Sequence, residues 1–268
     1  MKHLLIIVML SLNPVSGKDR ITQTDKTEIA NFQTQPESNQ SDTVLVDIQS
    51  KIYNAFIQAK ISQKYDEMAN LSNQLEDLYK AKGQNLILYW RSYLQYYSSI
   101  YYIGKGDKKM AEDEIDKSTE WMESVKKKNS EDYALLAMIQ SFSIQFKGMK
   151  AMFISGEIKK NAKSAISLDS TNLRAYYVYA SNDFYTPEIY GGGKEAEKYL
   201  LKAITLPAQK IKNSYLPYWG KEESYEMLIK LYIRNEKWDQ AKKYFREGIA
   251  EFPKSYIINL LASILLGK

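Results

Sequence analysis

The sequence predicts an all-α protein built as a stack of helical hairpins, and three observations carry that prediction. From Asp42 to the C-terminus apolar residues recur at helical spacing, and no stretch alternates as a strand does. Comparable segments then return at long intervals: Ala165 to Ala203 is 38 residues and Ala203 to Gly248 is 45. The chain also has no cysteine, so packing between hairpins must hold the fold together without disulfides.

Taken in order, the chain begins with a basic Met1-Lys2-His3, an apolar run from Leu4 to Leu12, and small residues up to Gly17. This pattern reads as a secretory signal peptide over residues 1–17, cleaved near Gly17. The run is too short to anchor the chain in a membrane, which takes roughly 20 apolar residues. Without a cysteine at its exit, lipid attachment there is excluded. Residues 18–41 are rich in Gln, Thr, Ser and Asp and read as a flexible polar arm. The repeat domain then spans 42–268, with hairpins near 42–81, 85–128, 130–169, 172–206 and 222–252.

The clearest stripe is Ala111, Ile115, Ser118, Met122 and Val125, spaced by four and three residues. A terminal helix from about 254 closes the domain, and Tyr256–Leu266 is apolar on nearly every face. It is expected inside the curve of the stack, or against a second copy, which makes 256–266 a candidate for self-association.

Composition narrows the chemistry. The only histidine is His3, inside the leader, so the mature chain lacks imidazole as well as thiol. Cysteine nucleophiles, histidine bases and the usual zinc sites are excluded, and no metal or cofactor is expected. The net charge of +5 falls to +4 without the leader, because residues 1–17 hold one lysine and no acid. Without a clustered basic patch, this excess gives no ground for nucleic-acid binding. Tyrosine is abundant at 22 copies. Tyr89, Tyr93, Tyr96 and Ile100 form one helical stripe, with Trp90, Tyr97 and Tyr101 beside it. Packing between hairpins explains most of them, although exposed tyrosines can also grip sugars or peptides.

Residues 222–253 run helix, short turn, helix, and carry Tyr225, Leu228, Tyr232, Ala241, Phe245, Gly248 and Pro253. This order and spacing resemble the tetratricopeptide repeat. In that family large residues lock the first helix, small ones let the second pack close, and a proline closes the unit. Ile229 departs from the pattern, standing where a small residue is usual. An upstream unit has Ala162, Ala165, Ile166 and Leu168 before Asp169-Ser170-Thr171-Asn172. The next opens on Leu173-Arg174-Ala175-Tyr176, has Tyr179-Ala180 at the lock and closes on Ala196, Leu200 and Ala203. Against a period of about 34 residues, these units carry insertions of about four and eleven, in TPEIYGGGK (186–194) and PAQKIKNSYLPYWG (207–220). The resemblance covers roughly residues 90–260, and the two insertions also resemble those of small exported bacterial repeat proteins.

The resemblance implies a right-handed α-α superhelix acting as a non-catalytic, exported scaffold, periplasmic or extracellular. A peptide or protein partner would lie in its concave groove. The lining positions map to Arg174, Tyr177 and Ser181 in one unit and Glu226, Lys230 and Arg234 in the next.

Competing constellations are weaker. Gly191-Gly192-Gly193-Lys194 lacks the spacing and the following Ser or Thr of a phosphate loop, and reads as a widened turn. Glu223-Ser224-Tyr225 resembles the catalytic glutamate segment of lytic transglycosylases, but the motif that follows in those enzymes is missing. A glycan or cell-wall binding module using the tyrosines, and a carboxylate-dependent cell-wall enzyme, are the alternative functions.

Overall fold

A computed structural model describes residues 40–268, so the leader and all but the last two residues of the arm lie outside it. A 3-10 turn at Gln40–Leu45 leads into ten helices arranged as five antiparallel hairpins. These are α1 (Ile48–Ser62) with α2 (Asp66–Lys82), and α3 (Asn85–Gly104) with α4 (Lys108–Ser124). Then come α5 (Ser130–Ser143) with α6 (Ala151–Leu168), α7 (Leu173–Tyr185) with α8 (Ala196–Thr205), and α9 (Lys221–Arg234) with α10 (Trp238–Glu251). Among the described residues there is no strand. Each hairpin packs on the next through its first helix, so α1, α3, α5, α7 and α9 line the inner face.

Local chemistry sets several boundaries. Asp107 caps α4 by accepting from the Met110 N–H, and Asn172 caps α7 through the Arg174 N–H. Asn129 and Asp132 bond reciprocally at the start of α5. Gly83, at a φ of 61°, ends α2 in the left-handed conformation glycine adopts freely.

The predicted stripe of α4 is buried along its whole length, Val125 included. Gly248 shows why the repeat needs a small residue in its second helix. A Cβ there would sit 3.1 Å from Ile258 Cδ1 and 3.3 Å from Tyr225 Cβ, the residue that locks α9. Ile229, large where a small residue is usual, is nevertheless fully buried.

Two expectations need correction. The terminal segment is not one helix buried on all sides but two single turns, α11 (Tyr256–Asn259) and α12 (Ala262–Leu265). Ile257, Ile258, Leu261 and Leu265 pack against the last hairpin, whereas Tyr256, Leu260, Ile264 and Leu266 face outward. The second concerns the inner face, expected to be an open groove, because the insertion between α8 and α9 covers part of it. That insertion runs back along the inner face to the first two hairpins. Gln49 of α1 accepts from the N–H groups of Tyr218 and Trp219 at 2.8 and 3.2 Å. The Trp90 indole donates to the Tyr215 carbonyl, and the Trp219 indole donates to the Tyr89 hydroxyl, both at 2.8 Å. The insertion is a strap across the superhelix, tying the fifth hairpin to the first two.

Candidate functional site

Beside this strap the inner face holds a concave pocket of about 60 Å³, roughly the room of four to six waters. Tyr96 of α3, Phe142 of α5, and Tyr177, Ser181 and Tyr185 of α7 form its walls. Its α9 side carries Glu223, Glu226 and Lys230. Helical periodicity explains the convergence. Tyr177, Ser181 and Tyr185 step by four along α7, and Glu223, Glu226 and Lys230 by three and four along α9.

The charges are unevenly matched. Lys230 is ion-paired with Glu226, yet burial still holds the Glu226 carboxyl above its ordinary value. Glu223 makes no ion pair with a side-chain cation among the described residues. One of its oxygens accepts from the Gly220 N–H at 2.7 Å, which caps α9. Burial, with the Glu222 charge adding to it, pushes the Glu223 carboxyl up to about 7. Burial likewise raises the hydroxyls of Tyr96, Tyr177 and Tyr185, the last to about 12.

Of the six residues expected to line the groove, four converge on this pocket: Tyr177, Ser181, Glu226 and Lys230. Arg174 does not. It is 5% exposed and its guanidinium pairs bidentately with Glu131, both bonds at 2.6 Å. Its remaining donors reach the carbonyls of Ala208 and Trp219, at the two ends of the strap. Position in the repeat points Arg174 inward, and the insertion then buries it. Arg234 also lies outside the pocket, stacked 4.0 Å over Phe184 and donating to that residue's carbonyl.

Glu223, Tyr96, Phe142 and Tyr185 are among the pocket members that the predicted groove positions do not supply. Glu223 has a signal in the sequence as the acidic residue of a capping position, and Tyr96 as part of the tyrosine stripe of α3. The glycine turn holds no anion site. Asp183 already fills the α8 N-terminus, its Oδ2 accepting from the N–H groups of Glu195 and Ala196 at 2.8 and 2.9 Å.

No family model and no curated protein matches the sequence. Solved structures do match. One is TTC0263, a thermophilic tetratricopeptide-repeat protein of Thermus thermophilus. It superposes with a TM-score of 0.52 over 80% of this chain and 98% of its own, at 14% identity. The fold is the tetratricopeptide-repeat superhelix. A second match of this architecture is the HusA haemophore of Porphyromonas gingivalis, with a TM-score of 0.50 and 22% identity. That match covers 72% of this chain and 95% of HusA. On the tetratricopeptide-repeat fold the pocket sits on the concave face, where the first helices of successive units meet.

Proposed function

We propose that this protein is an exported, non-catalytic scaffold that holds a polypeptide partner against its concave face. The observation that carries the reading is the convergence of Tyr96, Tyr177, Ser181, Glu223, Glu226 and Lys230 on one inner-face pocket. Aromatic rings beside fixed polar groups give orientation along with apolar contact. The volume sets the scale of what enters. About 60 Å³ admits one side chain of an extended segment. It lies far below the several hundred Å³ of small-molecule sites and so speaks against carrying a porphyrin over from the haemophore. Export rests on the basic and apolar leader at residues 1–17.

A photo-crosslinking residue placed at Ser181 tests the scaffold reading against one placed at Lys163, on the outer helix α6. Polypeptide adducts from position 181, suppressed by Tyr177→Ala and absent from position 163, are the expected result. Equal labelling from both positions would overturn the groove.

One observation favours a second reading. A half-buried glutamate poised near 7 is also the form a general acid takes in glycoside cleavage. Soluble fragments released from peptidoglycan by the protein, and lost in Glu223→Gln, would establish that enzyme; no release would remove it.

A further inference from the structure

We infer that the pocket is an acceptor for a cationic side chain, so that the partner segment presents a lysine or arginine to Glu223. This deepens the scaffold reading and rests on it. The inference starts from unmet valences. Tyr96 is 5% exposed and lines the pocket, yet its hydroxyl makes no hydrogen bond among the described residues. That hydroxyl is not sealed in the core but opens on the cavity, where a ligand atom can complete it. The Tyr177 and Tyr185 hydroxyls, on the facing helix, also make no hydrogen bond among the described residues, and both residues are half-buried.

The sign of the missing charge follows from counting. Within the pocket Lys230 neutralises Glu226 and leaves Glu223 uncompensated. The helices around Glu223 bring it no balancing cation among the described residues. Tyr53 of α1 and Tyr93, Tyr96 and Tyr97 of α3 face it with phenols. From α7 come Tyr177, Tyr185 and Arg174, and that guanidinium is engaged by Glu131. From its own helix come Glu222 and Glu226, which make the site more negative.

The Oε1 atom of Glu222 is itself buried with no hydrogen-bond partner. An ammonium or guanidinium entering here meets a carboxylate, phenol oxygens and the faces of Tyr96, Tyr177 and Phe142, the combination that favours a desolvated cation. An anion would meet Glu223 and Glu226 in the lining, with Glu222 adding its charge to Glu223. The cavity's size admits the end of one such side chain and excludes larger cations.

The methyl groups of Met138 and Met227 line the pocket and report on it directly. The test is a titration of methyl-labelled protein with four acetylated, amidated pentapeptides differing only at the central residue: lysine, arginine, norleucine or glutamate. The lysine or arginine peptide should shift both methyl signals saturably, and bind at least about tenfold more weakly at pH 5.5 than at pH 8, as Glu223 takes up its proton. Glu223→Gln should abolish the shifts. Tyr96→Phe, which leaves the α9 cap untouched, should weaken them several-fold.

Equal shifts from the norleucine peptide, or stronger ones from the glutamate peptide, would overturn the cation assignment while leaving the groove reading in place. Silence from all four peptides would overturn the assignment as well, and crosslinking from position 181 would then judge the groove on its own.

Discussion

Glu223 joins two roles in one side chain, and its protonation links them. One oxygen caps α9 through the Gly220 N–H, while the carboxyl as a whole is held at about 7, against 4.5 ordinarily. Asp132 is comparable: it completes the cap of α5, and burial raises it from 3.8 to about 6. Both folded-state values lie above the unfolded ones, so between about pH 4 and pH 7 the folded chain binds more protons than the unfolded chain. Stability from these groups is therefore present at low pH and lost as pH rises through 6 and 7. Glu223 keeps some contact with solvent, which reduces its share to on the order of 1–2 kcal/mol. Urea midpoints at pH 5.5 and pH 8 measure the effect. The fall in stability between them should be smaller in Glu223→Gln than in the parent, and parallel falls in the two proteins would refute the assignment.

At the scale of single elements, much is legible in the sequence because helices announce themselves through near neighbours. The stripe from Ala111 to Val125 and the lock of Tyr225 against the small Gly248 both depend on residues close in the chain or within the last repeat unit. Four of the residues mapped from the repeat resemblance come together because they share one face of α7 or of α9. The terminal segment misleads because its apolar character is uniform and hides the break between α11 and α12.

The glycines between α7 and α8 announce a turn, but the demand on each one emerges only in three dimensions. Gly191 and Gly193 have φ of 82° and 79°, whereas Gly192 lies against the Thr186 backbone with no room for a Cβ. Alanine at 191 or 193 should cost about 1–2 kcal/mol of left-handed strain. Alanine at 192 must move backbone and should cost more, about 3 kcal/mol. Comparing the three denaturation midpoints checks this order, and equal losses would contradict it.

At the scale of the whole molecule the strap changes what kind of object this is. A helical solenoid is quasi-one-dimensional, each repeat touching only its neighbours, and its two ends can unfold separately. Here contacts separated by 125 to 170 residues join the fifth hairpin's approach to α1 and α3. Nothing in the sequence states that destination, because it lies in pairs such as Gln49 with Trp219 that no local pattern connects. This is also why the sequence places Arg174 on the inner face and not in its ion pair beneath the strap.

Trp219 is the centre of the join. It is 4% exposed, faces Tyr93 and Tyr177 at ring distances of 6.3 and 6.2 Å, and lies under the Arg174 guanidinium. Trp219→Ala should cost about 3–5 kcal/mol, but the more telling result is its effect on cooperativity. Fluorine-labelled tryptophan gives separate signals for Trp90 and Trp121 in the second hairpin and Trp238 in the fifth. In the parent protein all should lose their native signals at one urea concentration. In Trp219→Ala the Trp238 transition should separate from those of Trp90 and Trp121, as the chain reverts to nearest-neighbour coupling. A single coincident transition at lower urea would show instead that packing between adjacent hairpins unites the two ends without the strap.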